Sequence, residues 1–367
     1  MAGEEPEKTI HAAPGRGVGT PPSSGPERRM LLWAAVAAVV VVLAAVYYAF
    51  LLPPPFHIRT GDRAEILAAD PQHLLIFRYR NDPHIVVLDF PSLHQQGQML
   101  NRVAAFVEKA GIPHDRVLTD AELSDAIKAS GSSPDDYYYG HDYRAADLVR
   151  FFHLLALDHV APNPEERRLR ALLGFLHWFA PGADGAIITL PGPGKAAGLD
   201  ASGRATILEH ELSHGAYFTI PAYDVYVHRF YHDVLDAKDR AAFRQFLAGE
   251  GYDTGINDLI VNETLAYLMF TPDPRFFSPA VAGLPPARIE KLRAAFRPGI
   301  PVEWLKRFLP ADAPVSPGGA EAAAKPRRRR RLPQCLGVSC VSRRKAVASR
   351  RSPAPCAALS AASSAGR

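Results

Sequence analysis

His210-Glu211-Leu212-Ser213-His214 sets two imidazoles four residues apart. On an α-helix this spacing puts both rings on one face, about one turn apart, where both can reach a single tetrahedral metal ion. The Glu211 carboxylate leans toward the same ion and can take a proton from a bound water. Zinc held in this way keeps one position open and lowers the pKa of that water toward about 7. These residue types point to hydrolysis, with His210 and His214 as ligands and Glu211 as general base. The surroundings agree. Ile207, Leu208 and Leu212 give the helix an apolar side, no proline falls between positions 202 and 220, and Gly215 allows close approach just after the second histidine.

Two histidines require a third ligand. All three cysteines (Cys335, Cys340 and Cys356) lie near the C-terminus, so the body has neither disulfides nor thiolate ligands. A metzincin-like extension would need glycine at position 217 and a ligand at 220, where Tyr217 and Ile220 stand. Glu263 is the best candidate. It lies between Leu259-Ile260-Val261 and Leu268-Met269-Phe270, in a helix expected to be largely buried. A carboxylate buried there needs a cation or strong hydrogen bonds. Asp224, His228 and His232 are the alternatives, the last two again four residues apart. Tyr267 falls one turn beyond Glu263 on the same face, and its hydroxyl could donate to an oxyanion as a carbonyl is attacked.

With His210, Glu211, His214 and Glu263, the chain resembles the gluzincin group of zinc metallopeptidases over residues 185–270, about a quarter of its length. The resemblance implies a zincin-like domain, Zn2+ as cofactor and a peptide or protein substrate. It also implies that the strand ahead of the motif helix lies along the edge of the site and pairs with extended substrate. Ala186-Ile187-Ile188-Thr189-Leu190 takes that part, with Ile187, Ile188 and Thr189 as substrate-binding residues. Two departures stand out. His214 and Glu263 are 49 residues apart, farther than in thermolysin-like enzymes. Tyr267 also stands where those enzymes carry an acid that orients a histidine.

The elements that must position these residues read as α+β, mostly helical, with a short sheet ahead of the motif helix. Residues 74–79 and 85–90 form a hairpin around Arg80-Asn81-Asp82-Pro83. Helices are expected over 95–110, 121–129, 143–159, 164–179, 202–217, 236–248, 256–270 and 287–296. Tyr137-Tyr138-Tyr139-Gly140-His141 could line a cleft or serve as packing. Pro193-Gly194-Lys195 suggests a phosphate loop, but Thr189 stands where that loop needs glycine.

Composition divides the chain into four parts. Residues 1–29 are polar and rich in proline and glycine, and are expected to be disordered. Residues 31–52 carry no charge over 22 positions, enough at 1.5 Å each to span about 30 Å of hydrocarbon, so 30–52 reads as a transmembrane anchor. A cleaved signal peptide would be unusually long. Arg28 and Arg29 favour a single-pass cell-membrane protein with its body on the extracytoplasmic, periplasmic side. The metallohydrolase domain spans 56–312, and 313–367 is an Arg/Ala/Pro-rich tail expected to be disordered. From Glu321 onward there are 12 basic residues and one acid, whereas the first 320 residues carry a net charge of −7. A specific nucleic-acid partner is therefore not expected. The five arginines at 327–331 would suit an anionic envelope surface. The expected function is a membrane-anchored zinc peptidase or amide hydrolase; the alternative is a non-catalytic, zinc-stabilised envelope scaffold.

Overall fold

The computed structural model describes residues 25–50, 56–193 and 199–309. The Arg-rich tail, the three cysteines and the first 24 residues lie outside them. Contacts divide the chain after Pro55, and the segment before that point is described by itself.

That segment forms one helix, α1 (Pro26–Phe50). It takes in residues 26–29, which were expected to be disordered. No helix among the described residues is long and apolar enough to cross a membrane. This overturns the transmembrane anchor, and with it the membrane partner, the single-pass location and the extracytoplasmic placement of the body.

The rest is α+β, as expected. In chain order it comprises β1 (Ile58–Gly61), α2 (Arg63–Leu67), β2 (Leu75–Tyr79), β3 (Ile85–Phe90), α3 (Leu93–Glu108), α4 (Asp120–Ala129), β4 (Asp142–Arg144), α5 (Ala145–Leu157), α6 (Pro164–Phe175), β5 (Ala186–Pro191) and α7 (Ala201–Thr219). Then come α8 (Pro221–Arg229), a π-helical turn (Phe230–Val234), α9 (Ala237–Glu250), α10 (Asn257–Phe270), α11 (Pro279–Ala282), α12 (Pro286–Phe296) and α13 (Glu303–Lys306).

The five strands form one mixed sheet in the order β1-β2-β3-β5-β4. The expected hairpin is present, with β2 antiparallel to β3. Because side chains alternate along a strand, the sheet feeds two cores. Ile85, Val87, Ile188 and Leu190 face the core shared with α7 and α10. Val86, Leu88, Phe90 and Ile187 face the one shared with α3, α5 and α6. With helices on both faces, β3 and β5 are buried along their whole length, which is why they read as unbroken apolar runs.

The motif helix α7 lies against β5, β3 and α10. Asp200 caps its start by accepting from the Gly203 amide at 2.8 Å. One turn in, Arg204 donates to both oxygens of Asp89 on β3 at 2.9 and 2.8 Å and to the Pro191 carbonyl at 2.6 Å, pinning the helix to the sheet. A Cβ on Gly215 would meet the Ile85 side chain at 2.9 Å, so the close approach expected at this glycine is real.

Candidate metal centre

His210 and His214 face each other across one turn of α7, with Nε2 atoms 3.0 Å apart. Glu263 comes from α10, which packs along α7. Its two carboxylate oxygens reach the two histidines separately, Oε2 to His210 Nε2 at 3.7 Å and Oε1 to His214 Nε2 at 3.6 Å. Tetrahedral zinc with bonds of about 2.0–2.1 Å would set its ligands about 3.3 Å apart, so this spacing suits such an ion. All three residues are buried and together form a group able to hold a metal ion.

Hydrogen bonding fixes the form of His210. The Thr271 hydroxyl donates to the Ala266 carbonyl at 3.1 Å, which commits its only proton. It must then accept from His210 Nδ1–H, 2.8 Å away, leaving the lone pair on Nε2, the atom that faces His214 and Glu263. Burial lowers the His210 pKa to about 3. Burial also lowers that of His214, to about 4, against the opposing effect of Glu263. Neutral imidazoles are the state that binds metal. Burial raises the pKa of Glu263, with His214 and a hydrogen bond from Tyr252 pulling the other way. Its Oε2 has no hydrogen-bond partner among the described residues.

Glu211 is buried beside this group, and its Oε2 is likewise without a hydrogen-bond partner. Burial, then the charges of Glu263 and Glu108, lift its pKa well above the ordinary range. Its place depends on a residue that sequence reasoning singled out without a role. A Cβ on Gly140 would stand 1.9 Å from Glu211 Oε1, so only glycine leaves space for this carboxylate. Asp142 follows two residues later, with Oδ2 3.8 Å from His214 Nε2. Asp142, Glu211 and His214 make a second group of potential ligands that shares His214 with the first.

The other expectations fare differently. Tyr267 packs its ring edge-on against His210, with centroids 4.8 Å apart, and lies among Phe246 and Phe277. It supports the His210 ring from the aromatic core. Ile187, Ile188 and Thr189 do not line an open edge. β5 is paired on both sides, parallel with β3 and antiparallel with β4, and all three residues are fully buried. The outer place belongs to β4, a three-residue strand whose last two residues take the start of the helix expected over 143–159. Asp142 pairs with Ile188 and so shares its face of the sheet, toward α7.

The alternative ligands gather elsewhere. His228 Nε2 lies 2.8 Å from the Tyr217 hydroxyl, 3.2 Å from Asp258 and 3.4 Å from Asp224. The side chains of these three potential ligands are 38–49% exposed, and none joins His210 or His214 in a ligand group. His232 stacks on His228 and belongs to no such group among the described residues. No family model, curated protein or solved structure matches the chain, so these residues themselves carry the functional reading.

Proposed function

We propose that the chain is a zinc-dependent peptidase or amide hydrolase of gluzincin type, with His210, His214 and Glu263 as ligands and Glu211 as general base. The observation that carries this reading is the Glu263 carboxylate spanning both histidines beside an unpartnered Glu211 oxygen. Zinc in this group would supply Lewis acidity, polarising a carbonyl and making water a better nucleophile near neutral pH. The protein's own residues do the rest. Thr271 holds His210 in the tautomer that presents Nε2. The Tyr252 hydroxyl donates to Glu263. Glu211 takes the proton from water at Oε2 and passes it to the leaving amine. Gly140 keeps the space in which that carboxylate sits.

A scaffold that merely binds zinc would give Glu211 no task. Glu211→Gln separates the two readings. On a mixed fluorogenic peptide library, hydrolysis should fall about 10³-fold while zinc content stays at the wild-type level. An unchanged rate would remove Glu211 as base. No hydrolysis by the wild-type, zinc-loaded chain would favour the scaffold.

A further inference from the structure

Three buried carboxylates, Glu108, Glu211 and Glu263, and the partly buried Asp142 lie close enough to repel one another. A divalent metal would offset Glu263 and Glu211. Lys109 faces Glu108 while its ammonium sits 4.4 Å from the Tyr137 ring centre. Asp142 is left over. After burial, the largest influences on it come from Glu211, Glu108, Glu263 and Asp147, all acids. Arg144 and Arg150 lie on the same cleft as Asp142, each engaged with another group. Arg144 bonds Asp258 at 3.0 Å, and Arg150 donates to the His114 carbonyl and stacks on Phe106. His114 lies 3.1 Å from Asp253.

Asp142 and Glu108 both line a cleft of about 290 Å³ that also reaches Asn262, the residue before Glu263. Glu108 is only 4% exposed, yet its Oε1 has no hydrogen-bond partner among the described residues. Phe106, Phe218, Ile256 and Leu259 give the cleft apolar walls. A volume near the low end for small-ligand sites suits a short organic group better than a bare ion.

We infer that this cleft takes a protonated amine of the substrate, held by Asp142 and Glu108 beside the metal centre. The inference rests on the metal reading above. The ammonium can come from a free chain terminus or a basic side chain. Asp142 lies 3.8 Å from a ligand nitrogen, so the amine it holds sits close to the bond under attack. The cleft would then select substrates by charge.

The test is calorimetric titration of the full-length, zinc-loaded chain with three hydroxamates, whose head group binds zinc. L-Leucine hydroxamate carries an α-ammonium, Nα-acetyl-L-lysine hydroxamate a side-chain ammonium, and N-acetyl-L-leucine hydroxamate none. At least one ammonium compound should bind about tenfold or more tighter than the uncharged one, the worth of a charge-assisted hydrogen bond. The tighter compound identifies the source of the amine. In Asp142→Asn the preference should fall below about threefold, with zinc content and circular dichroism unchanged; Glu108→Gln gives a second, independent reduction. Equal binding of all three hydroxamates would overturn the inference and leave the metal reading standing. So would a preference that survives both substitutions, or two zinc ions per chain with Asp142 needed for the second. Failure of every hydroxamate to bind a chain that holds one zinc would overturn the inference along with an open catalytic position. A chain that takes up no zinc would overturn the metal reading itself.

Discussion

Asp89 and Glu263 are carboxylates buried to the same depth, 0% and 1% exposed, and their surroundings are opposite. Asp89 meets Arg204 in a two-bond fork, and that guanidinium also reaches the Pro191 and Ile66 carbonyls. Glu263 faces two neutral imidazoles and a set of further acids, with no guanidinium bonded to it among the described residues. Burial raises the pKa of both, but only Asp89 has a cation working strongly against it. A buried charge that serves the fold is compensated from within the chain. On the proposed reading, the acids around Glu263 that have no such partner are organised around a cation from outside. The same contrast separates the two His-x-x-x-His pairs. His210 and His214 are buried and aligned by a committed hydroxyl, whereas His228 is partly exposed and already bonded to Tyr217 and Asp258.

The sharpest way to break this comparison is to remove one partner from each side. Arg204→Met strands Asp89 in the core and should cost about 3–5 kcal/mol in urea unfolding. Glu263→Gln in the metal-free chain removes a carboxylate that has no Arg or Lys partner among the described residues, and should change stability by less than about 1 kcal/mol in either direction. Losses of similar size in both variants would mean that Glu263 is held by the fold as Asp89 is. The alignment of His210 gives a smaller effect. Thr271→Val keeps the shape of a fully buried residue but frees Nδ1, and should weaken zinc about 10–100-fold in competition with a chelator. An unchanged affinity would deny the hydroxyl any part in fixing the tautomer.

The smallest effect lies at the entrance to the motif helix. Arg275 bridges Asp200 and Asp273 and lowers the pKa of Asp200 to about 2 from an ordinary 3.8. Because the folded value is the lower one, the stabilisation is present above about pH 4 and is lost as pH falls toward 2. Arg275→Ala should therefore unfold slightly earlier than the parent chain at pH 5–7, and the two curves should converge near pH 2. A gap that persists below pH 2 would point to lost packing of the arginine stem on Phe276.

The central residues were legible because each carried its own signal. The motif has helix spacing, and Glu263 is the one acid in the apolar stretch 259–270, which tertiary packing brings beside it. The hairpin and most long helices were readable from apolar runs and their proline and glycine stops. What sequence could not convey was pairing. β4 is three residues long and sits between a tyrosine run and α5, too short for a period, so β5 looked like an edge when it is an inner strand. Asp142 was therefore overlooked. Thr271 falls just past the end of α10, and Gly140 matters only because Glu211 occupies the space its side chain would fill. The apolar run at 31–52 does enter a helix, but apolar composition did not settle what that helix spans.

The central claim is that His210, His214 and Glu263 share one zinc ion. Elemental analysis of the full-length chain after zinc loading and desalting tests it most directly. About one zinc per chain is expected in the parent protein, and close to none in His210→Ala/His214→Ala and in Glu263→Ala, each checked for folding by circular dichroism. Zinc absent from the parent chain, or retained at full stoichiometry in folded variants lacking these ligands, would contradict the account.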